Sequence, residues 1–454
     1  MKEYDVIVIG SGTGLNIVYK ALSKNMKVAL VAREYIGGTC LNVGCVPSKT
    51  LLYTADKVVQ IEEARKFGIK AEIRSIDFPA IMTRMRNARK NSTETIRRDL
   101  QESENLVLYE TEGQFIDEYT LEVGEEQIRG KNIFIASGAR PAIPPIKGLS
   151  DIRYLTNESI LILEKLPESI IIIGGSYIGV EYAHFFAAMG SAVSIVEYND
   201  RLVSFEEPEV SELLERSLGK RMKIYPGHEA LAVEQDGRGF ALTIQDRKTK
   251  TDKKLNGQEI LVAAGRKSNA NRLKTEKTGV TLTPNGFIYV DDYLQTNKPG
   301  IIALGDATGR GMFTHAADQE VDIAWHNAFH EDKIKMDFDA VPHAVFTSPQ
   351  IASIGLTEAE AAKQYDILVG RAQYDDTVQG DVRMVHEGFA KAIVEKESGR
   401  ILGFHIIGPD ASILIQEVVN VVALKGDYRS ITGAMHIFPA LSDLIPETFD
   451  RLNK

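Results

Sequence analysis

The two cysteines of the chain, Cys40 and Cys45, lie five residues apart in the stretch "GGTCLNVGCVPSK". A regular helix would hold residues at this spacing too far apart for an S–S bond, whose Cα separation is about 4.4 to 6.8 Å. Gly44 can supply an unusual backbone angle, and Pro47 suits the first turn of a helix that begins just after Cys45. A thiolate at that helix N-terminus, next to the cationic Lys49, would have a lowered pKa. We therefore expect reactive thiols rather than two buried structural cysteines.

Composition limits the classes of protein to which these thiols can belong. The chain has 454 residues, 44% of them hydrophobic, and a net charge of -10. This length predicts about three globular domains. The sequence has no long Lys/Arg run of the kind that binds nucleic acid or an anionic membrane, and no apolar run approaches the roughly 18 residues that span a bilayer. We therefore expect neither nucleic acid nor a membrane as a partner.

The N-terminus lacks the pattern of a signal peptide, which predicts a cytoplasmic protein. In a reducing compartment, a close cysteine pair is catalytic, redox-active or metal-binding more often than a structural staple. Zinc would need four ligands, and the sequence has no partner Cys/His pair at metal spacing. We predict no metal site.

Two glycine-rich turns predict the elements that position the chemistry. In "YDVIVIGSGTG", Gly10, Gly12 and Gly14 lie where a buried strand meets a helix. Without Cβ atoms, such a turn lets backbone N–H groups and the helix N-terminus approach a pyrophosphate. Leu15 occupies a position where the dinucleotide-binding fingerprint has Gly or Ala. A tight turn without a ligand is the alternative for either motif alone.

The second turn, in "SIIIIGGSYIGVEYAHFFAAMGSAVSIVE", has Gly174 and Gly179 at the matching positions, with Ser176 in place of the middle glycine. Glu197 follows Gly174 by 23 residues and ends the next strand, where an acid would bond the ribose hydroxyls. A 2'-phosphate would be repelled there, so NADH is favoured over NADPH. In the first unit, the corresponding acid is displaced or absent, and Glu34 is the candidate.

The thirteen residues from Gly37 to Lys49 resemble the redox-disulfide motif of the FAD-dependent pyridine nucleotide-disulfide oxidoreductases of class I. Four further segments are similar to family segments: "ASGARP", "AAGRKSN", "IIALGDATG" and "VPHAVFTSPQIASIGLTE". Together they extend the resemblance over nearly the whole chain, which is most like dihydrolipoamide dehydrogenase.

The resemblance implies an α/β fold with two Rossmann-like dinucleotide-binding domains and a C-terminal α+β dimerisation domain. The implied division is a first part of the FAD-binding domain at 1–146, an NAD-binding domain at 147–270, a second FAD-binding or central part at 271–338, and an interface domain at 339–454.

It also implies roles for individual residues. Cys40 would exchange with the substrate, and Cys45 would form the charge-transfer contact with the flavin. Lys49 would lie near flavin N5 and pair with Glu181, while Tyr177 would cover the nicotinamide pocket. The implied cofactor-binding residues are Gly10, Gly12, Gly14, Glu34, Gly38, Thr39, Lys49, Gly113, Ser137, Gly138, Thr314, Gly174, Tyr177, Gly179, Glu197, Gly265 and Asp306, the last on the ribityl chain.

The C-terminal stretch "MHIFPALSDLIPETF" departs from the family. Aligned on Pro439, Phe438 replaces the histidine that serves as acid/base for the exchanging thiol, and Asp443 occupies the position of its orienting carboxylate. His436 matches an earlier histidine of dihydrolipoamide dehydrogenases. In an extended segment, positions 436 and 438 are about 6.6 Å apart, so His436 replaces the base only if the backbone shifts. A packed structural histidine is the alternative.

Mercuric reductases also have an aromatic residue at this position, but their C-terminal vicinal cysteines are absent here. We therefore expect a homodimeric oxidoreductase that passes electrons between NAD(H), FAD, the Cys40–Cys45 pair and a small dithiol or disulfide such as lipoamide. The alternatives are a mercuric-reductase-like or other small-disulfide reductase, and a noncatalytic redox-sensing flavoprotein.

Overall fold

The structure, a computed structural model, describes residues 1–453. The strands in chain order are β1 Lys2–Ile9, β2 Val28–Val31, β3 Leu106–Tyr109, β4 Gly113–Asp117, β5 Thr120–Val123, β6 Glu126–Ile135, β7 Ala139–Pro141, β8 Ser169–Ile173, β9 Ala192–Val196, β10 Lys223–Tyr225, β11 His228–Asp236, β12 Gly239–Asp246, β13 Asp252–Gly257, β14 Glu259–Val262, β15 Arg266–Ser268, β16 Ile301–Ala303, β17 His343–Val345, β18 Gln350–Gly355, β19 Ile367–Gln373, β20 Phe389–Glu395 and β21 Ile401–Gly408.

The α-helices are α1 Gly14–Ser23, α2 Gly38–Val43, α3 Cys45–Glu63, α4 Phe78–Gln101, α5 Tyr177–Met189, α6 Pro208–Leu218, α7 Thr314–Phe329, α8 Glu358–Ala361, α9 Val378–Val382, α10 Ala411–Leu414, α11 Gln416–Ala423, α12 Arg429–Thr432 and α13 Leu444–Asp450. Within residues 1–453, every helix is too short or too polar to cross a membrane.

The first of two compact units comprises Met1–Ser48, Met82–Ala142 and Gly265–Phe338. Its main sheet has the order β3-β2-β1-β6-β5-β4, with β16 also paired to β6. The pairs among β3, β2, β1, β6 and β16 are parallel. Their apolar runs, such as "VIVI" and "VALV", are buried because helices cover the faces of a parallel sheet. The first glycine turn follows β1, in the middle of this sheet.

The second unit comprises Lys49–Ile81, Ile143–Ala264 and Asp339–Lys454. It contains a parallel sheet in the order β10-β9-β8-β14, and the second glycine turn follows β8. It also contains the three-stranded sheet β11-β12-β13 and the antiparallel sheet β17-β18-β21-β20-β19. Helices α10 to α13 contribute to the core of that last sheet.

Both strand-turn-helix-strand units predicted from the glycines are present, as is a C-terminal α+β region. This is the predicted fold class. The chain passes from one unit to the other between residues 48 and 49, 81 and 82, 142 and 143, 264 and 265, and 338 and 339. The four-part division expected from the sequence remains a prediction.

Candidate redox and nucleotide-binding sites

The first glycine turn is a place where three backbone segments approach one another closely. Gly10 has a φ of +109°, and a Cβ there would lie 2.1 Å from the carbonyl oxygen of Ala136. Gly38, the first residue of α2, has a φ of +70°, and its Cβ would lie 2.4 Å from Cα of Gly12. Only residues without a side chain fit here, and the bare backbone that results suits the close approach of a pyrophosphate.

The departure from the fingerprint at Leu15 has a local explanation. A Cβ at Gly14 would lie 3.0 Å from Cγ1 of Val8, so Gly14 is the residue that allows α1 to pack closely on β1. The Leu15 side chain is itself buried. The helix therefore docks on the strand without a small residue at position 15.

Buried polar atoms beside this turn fit a ligand rich in hydroxyl groups. Ser137 Oγ and Glu320 Oε1 are buried with no hydrogen-bond partner among the described residues. Burial raises the pKa of Asp306, and Arg266 Nε lies 3.3 Å from its carboxylate. Burial also raises the pKa of Glu320 to about 7, against a hydrogen bond from the N–H of Gly305. Together with the glycine cradle, these groups suit the FAD that the sequence predicts in this unit.

Other predicted flavin residues surround the same strand ends. A Cβ at Gly113 would lie 2.9 Å from Cγ1 of Val31, and Gly138 and Gly265 have φ angles of +66° and +125°. Thr39 lies in α2, one residue before Cys40. Glu34 is about half-exposed and forms an ion pair with Arg33 at 2.8 Å, so its predicted ribose contact remains a prediction.

The thiol pair lies at the junction of two helices. Cys40 belongs to α2, Cys45 begins α3, and Gly44 separates them with a φ of -131° and a ψ of -114°. A Cβ at Gly44 would lie 3.0 Å from the Thr39 carbonyl oxygen, which explains the glycine. Because the helix is broken at Gly44, the two cysteines are not held at the large separation that one continuous helix would impose. In the structure, both cysteines are present as thiols.

The two sulfur atoms share a hydrogen-bonded environment with Thr314, the first residue of α7. Cys45 Sγ lies 3.5 Å from Thr314 Oγ1. A hydrogen bond to Cys45, together with burial, raises the pKa of the half-buried Cys40 thiol. The lowered thiol pKa expected from the sequence concerns Cys45 and remains a prediction.

Within the second unit, the structure brings the predicted partners Lys49 and Glu181 together. Lys49 Nζ donates to both carboxylate oxygens of Glu181, at 3.0 and 2.8 Å. The Phe346 N–H donates to Glu181 Oε1 at 3.0 Å, and the Lys49 ammonium lies 4.8 Å from the centroid of the Phe346 ring. Glu181 is only 5% exposed, so three contacts fix a charge that has little access to water.

The second glycine turn repeats the close approach of the first. A Cβ at Gly174 would lie 2.3 Å from the Ala263 oxygen, and one at Gly179 only 1.9 Å from the Gly174 oxygen. The buried Glu197 accepts hydrogen bonds from the N–H groups of Gly175, at 2.5 Å, and Asn199, at 2.7 Å. The acid predicted to bond ribose therefore lies at the turn, with its carboxylate oriented by the backbone.

Tyr177, predicted to cover the nicotinamide, is the first residue of α5 and contacts a residue that the sequence did not indicate. Its ring meets the ring of Phe205 edge to face, with centroids 6.5 Å apart. Phe205 in turn meets His343, and His343 bonds Glu206. No local pattern identifies these residues, because their partners are distant in sequence.

The predicted site residues of the C-terminal segment, His436 and Asp443, form hydrogen bonds with other residues of the C-terminal region. His436 Nε2 lies 2.8 Å from Glu417 Oε1, and Nδ1 lies 3.2 Å from the Ala434 oxygen. Asp443 accepts a weak bond from the N–H of Ala440 at 3.4 Å. The Phe438 side chain is 71% exposed. Both ring nitrogens of His436 therefore have partners within the same region, as in the alternative of a packed histidine. Within residues 1–453, no cluster of three or more His, Cys, Asp or Glu could hold a metal ion.

Comparison with known proteins places this geometry in a family. Residues 4–320 match the pyridine nucleotide-disulphide oxidoreductase family, and residues 341–449 match its dimerisation domain. The chain is 33% identical to mycothione reductase of Mycobacterium tuberculosis, with 98% of each protein covered. It is 31% identical to a mercuric reductase of Staphylococcus aureus, covering 99% of this chain and 83% of that protein. It is 32% identical to dihydrolipoyl dehydrogenase of Chlamydia muridarum, covering 98% and 96%.

Among solved structures, the Cu(II) complex of the HOCl-induced flavoprotein disulfide reductase RclA from Escherichia coli superimposes with a TM-score of 0.88 at 26% identity, over 99% of both chains. The predicted family, fold class and cofactors are thus confirmed, and the dimerisation domain supports a homodimer. The chain belongs to the pyridine nucleotide-disulphide oxidoreductases, flavoproteins that bind FAD and NAD(P)H.

Proposed function

We propose that the protein transfers electrons between NAD(H) and a small dithiol or disulfide, with lipoamide as the first candidate substrate. The observation that carries this proposal is the pair of thiols at the α2–α3 junction, which are hydrogen-bonded to each other beside Thr314. Cys40 would exchange with the substrate and Cys45 would face the flavin. When bound, FAD supplies the route by which the two electrons of a hydride reach a disulfide.

The chain itself contributes position and charge. A hydrogen bond to Cys45 and burial raise the pKa of the Cys40 thiol, and in this proposal Cys45 carries the thiolate that faces the flavin. The Lys49–Glu181 pair holds a cation one helical turn after Cys45 on α3. Glu197 would bond the ribose of NADH and disfavour a 2'-phosphate, which supports NADH over NADPH.

Phe438 favours a second candidate function. An exposed phenylalanine cannot move the proton that a dithiol must lose, and both ring nitrogens of His436 are bonded elsewhere. Substrates that depend less on such a base are disulfides with weakly basic leaving thiolates, which need less protonation, and soft metal ions such as Hg(II). The relatives include a mercuric reductase and a flavoprotein solved as a Cu(II) complex. The close Lys49–Glu181 pairing argues against the third alternative, a noncatalytic redox sensor.

The test is an anaerobic titration of the FAD-loaded protein with NADH, followed by turnover with lipoamide, low-molecular-weight disulfides and Hg(II). We expect NADH to bleach the flavin and to reduce the cysteine pair, as trapped by alkylation at both positions. Cys40→Ser and Cys45→Ser should each abolish disulfide reduction while flavin reduction by NADH remains. Disulfide turnover that survives both substitutions would disprove the role of the pair. If NADH fails to reduce the bound flavin, the noncatalytic redox sensor remains as the function.

Turnover with the panel separates the two candidate substrates. If lipoamide is reduced faster than the other compounds, the first candidate stands despite the missing base. If low-molecular-weight disulfides or Hg(II) are reduced at least tenfold faster than lipoamide, the second candidate replaces it.

A further inference from the structure

Three rings in the second unit form a continuous edge-to-face row. The Tyr177 and Phe205 ring centroids are 6.5 Å apart at an interplanar angle of 76°, and those of Phe205 and His343 are 5.5 Å apart at 62°. Phe205 is 44% exposed, so burial alone does not fix its ring. Its orientation depends on the ring at either side. Tyr177 and His343 thus hold Phe205 between the start of α5 and the start of β17.

The His343 end of this row is anchored by a buried carboxylate. His343 Nε2 lies 2.7 Å from Glu206 Oε1, and Glu206 is only 2% exposed. Ser353 donates to the other carboxylate oxygen at 2.6 Å, and His405 Nδ1 lies 3.8 Å from it. The bonds from two strands fix the charge of Glu206 and so fix the histidine ring.

Sheet register explains why these partners meet. His343 pairs with Ser353 between β17 and β18, and Ser353 pairs with His405 between β18 and β21. Residues directly opposite in neighbouring strands lie on the same face of a sheet. All three side chains therefore reach Glu206, which precedes α6. Glu206 itself lies in the turn before α6, and its partners are side chains of the sheet.

The same strand segment also contacts the Lys49–Glu181 pair. Phe346, three residues after His343, donates its N–H to Glu181 and lies under the Lys49 ammonium. Glu181 lies one turn after Tyr177 on α5. The segment from 343 to 346 thus contacts Glu181 directly and Tyr177 through Phe205, so it supports two positions of α5.

We propose that Phe205 and His343, anchored by Glu206, are positioning residues that set the orientation of the Tyr177 ring for binding of the nicotinamide ring. This inference rests on the proposed function and on the role that the family resemblance implies for Tyr177, whose ring would cover the nicotinamide pocket. A ring held in one orientation costs less conformational entropy to order when the ligand binds. Each edge-to-face contact should change the nucleotide affinity between about two- and ten-fold.

The experiment compares two ligands on the FAD-loaded protein by calorimetric titration. NAD+ has the nicotinamide ring, and ADP-ribose has the rest of the nucleotide but not that ring. Phe205→Leu removes the aromatic edge and keeps its bulk, whereas His343→Gln keeps a hydrogen-bond donor for Glu206 but removes the ring. We expect both variants to raise the Kd of NAD+ two- to ten-fold and to leave the Kd of ADP-ribose unchanged. Phe205→Tyr, which retains the ring, should restore the wild-type Kd of NAD+.

Two results would overturn the inference. An unchanged or lower Kd of NAD+ in both variants would show that the row does not position Tyr177. An equal rise for NAD+ and ADP-ribose would show a general disturbance of the nucleotide-binding region. Tyr289→Leu, an exposed aromatic of the first unit, is the matched control for loss of a surface ring. Failure of the proposed function differs from both, because wild-type flavin would then not be reduced by NADH.

Discussion

The carboxyl group of Glu320 gives a quantitative prediction. The side chain is fully buried on α7, one oxygen accepts from the Gly305 N–H at 2.5 Å, and the other has no hydrogen-bond partner within residues 1–453. Burial raises its pKa from 4.5 to about 7, with the nearby Asp306 adding to the rise. By linkage, this difference corresponds to at most about 3 kcal/mol between the protonated and ionised forms.

The sign follows from the direction of the shift. The folded protein favours neutral Glu320, so its contribution to stability is fully present below pH 4.5 and is lost as the pH rises through about 7. Glu320→Gln has no ionisation to lose. We expect the free energy of unfolding of the wild type to fall by about 2 kcal/mol more than that of the variant between pH 5 and pH 8.

Two measurements check this expectation on the FAD-loaded protein. Denaturant unfolding at the two pH values gives the difference in stability, and infrared spectroscopy should show a protonated-carboxyl band that titrates near pH 7 and is absent from Glu320→Gln. Asp322→Asn is the control, because Asp322 is an exposed acid on the same helix whose ion pair with Lys20 contributes little. If wild type and Glu320→Gln show the same pH dependence and the same infrared bands, Glu320 is ionised and the reasoning fails.

Three further predictions concern the sites. Phe438→His restores a base, so lipoamide turnover should rise at least tenfold, and an unchanged or lower rate would mean that proton transfer is not limiting. Gly38→Ala places a Cβ 2.4 Å from Cα of Gly12, so the purified variant should lack flavin absorbance; full flavin content would contradict this. Burial opposes ionisation of Glu206, but its histidine partners lower its pKa to about 2. The stabilising effect of ionised Glu206 is present above pH 4.5 and is lost as the pH falls towards 2. The free energy of unfolding should therefore depend less on acid pH in Glu206→Gln than in the wild type. Identical pH dependence in the two proteins would contradict this prediction.

Much of the site could be predicted because its determinants are local. Glycines at strand-helix turns indicate where backbone must approach a ligand, and the Gly44 between the cysteines indicates a break between helices. The Lys49–Glu181 pairing followed from the family resemblance over two widely separated segments. In each case a short stretch of sequence contains enough of the constraint to be recognised.

The remaining features depend on contacts between distant parts of the chain. Glu206 and His343 are 137 residues apart and meet only because the register of β17, β18 and β21 brings three polar side chains to one face. Glu320 is a polar residue of a helix whose burial no pattern in "THAADQEVDIAW" reveals. His436 could be aligned with a family histidine, but only the structure shows its pairing with Glu417.

The contact between Gly12 and Gly38 links cofactor retention to sulfur chemistry. The turn that would carry the pyrophosphate is in van der Waals contact with the residue that begins α2, and Cys40 lies two positions beyond it. A displacement of that turn is therefore transmitted directly to the thiol segment. We expect Cys40 to react with alkylating reagents more rapidly in protein stripped of its flavin than in the loaded form, because a bound cofactor would hold the thiol segment in place.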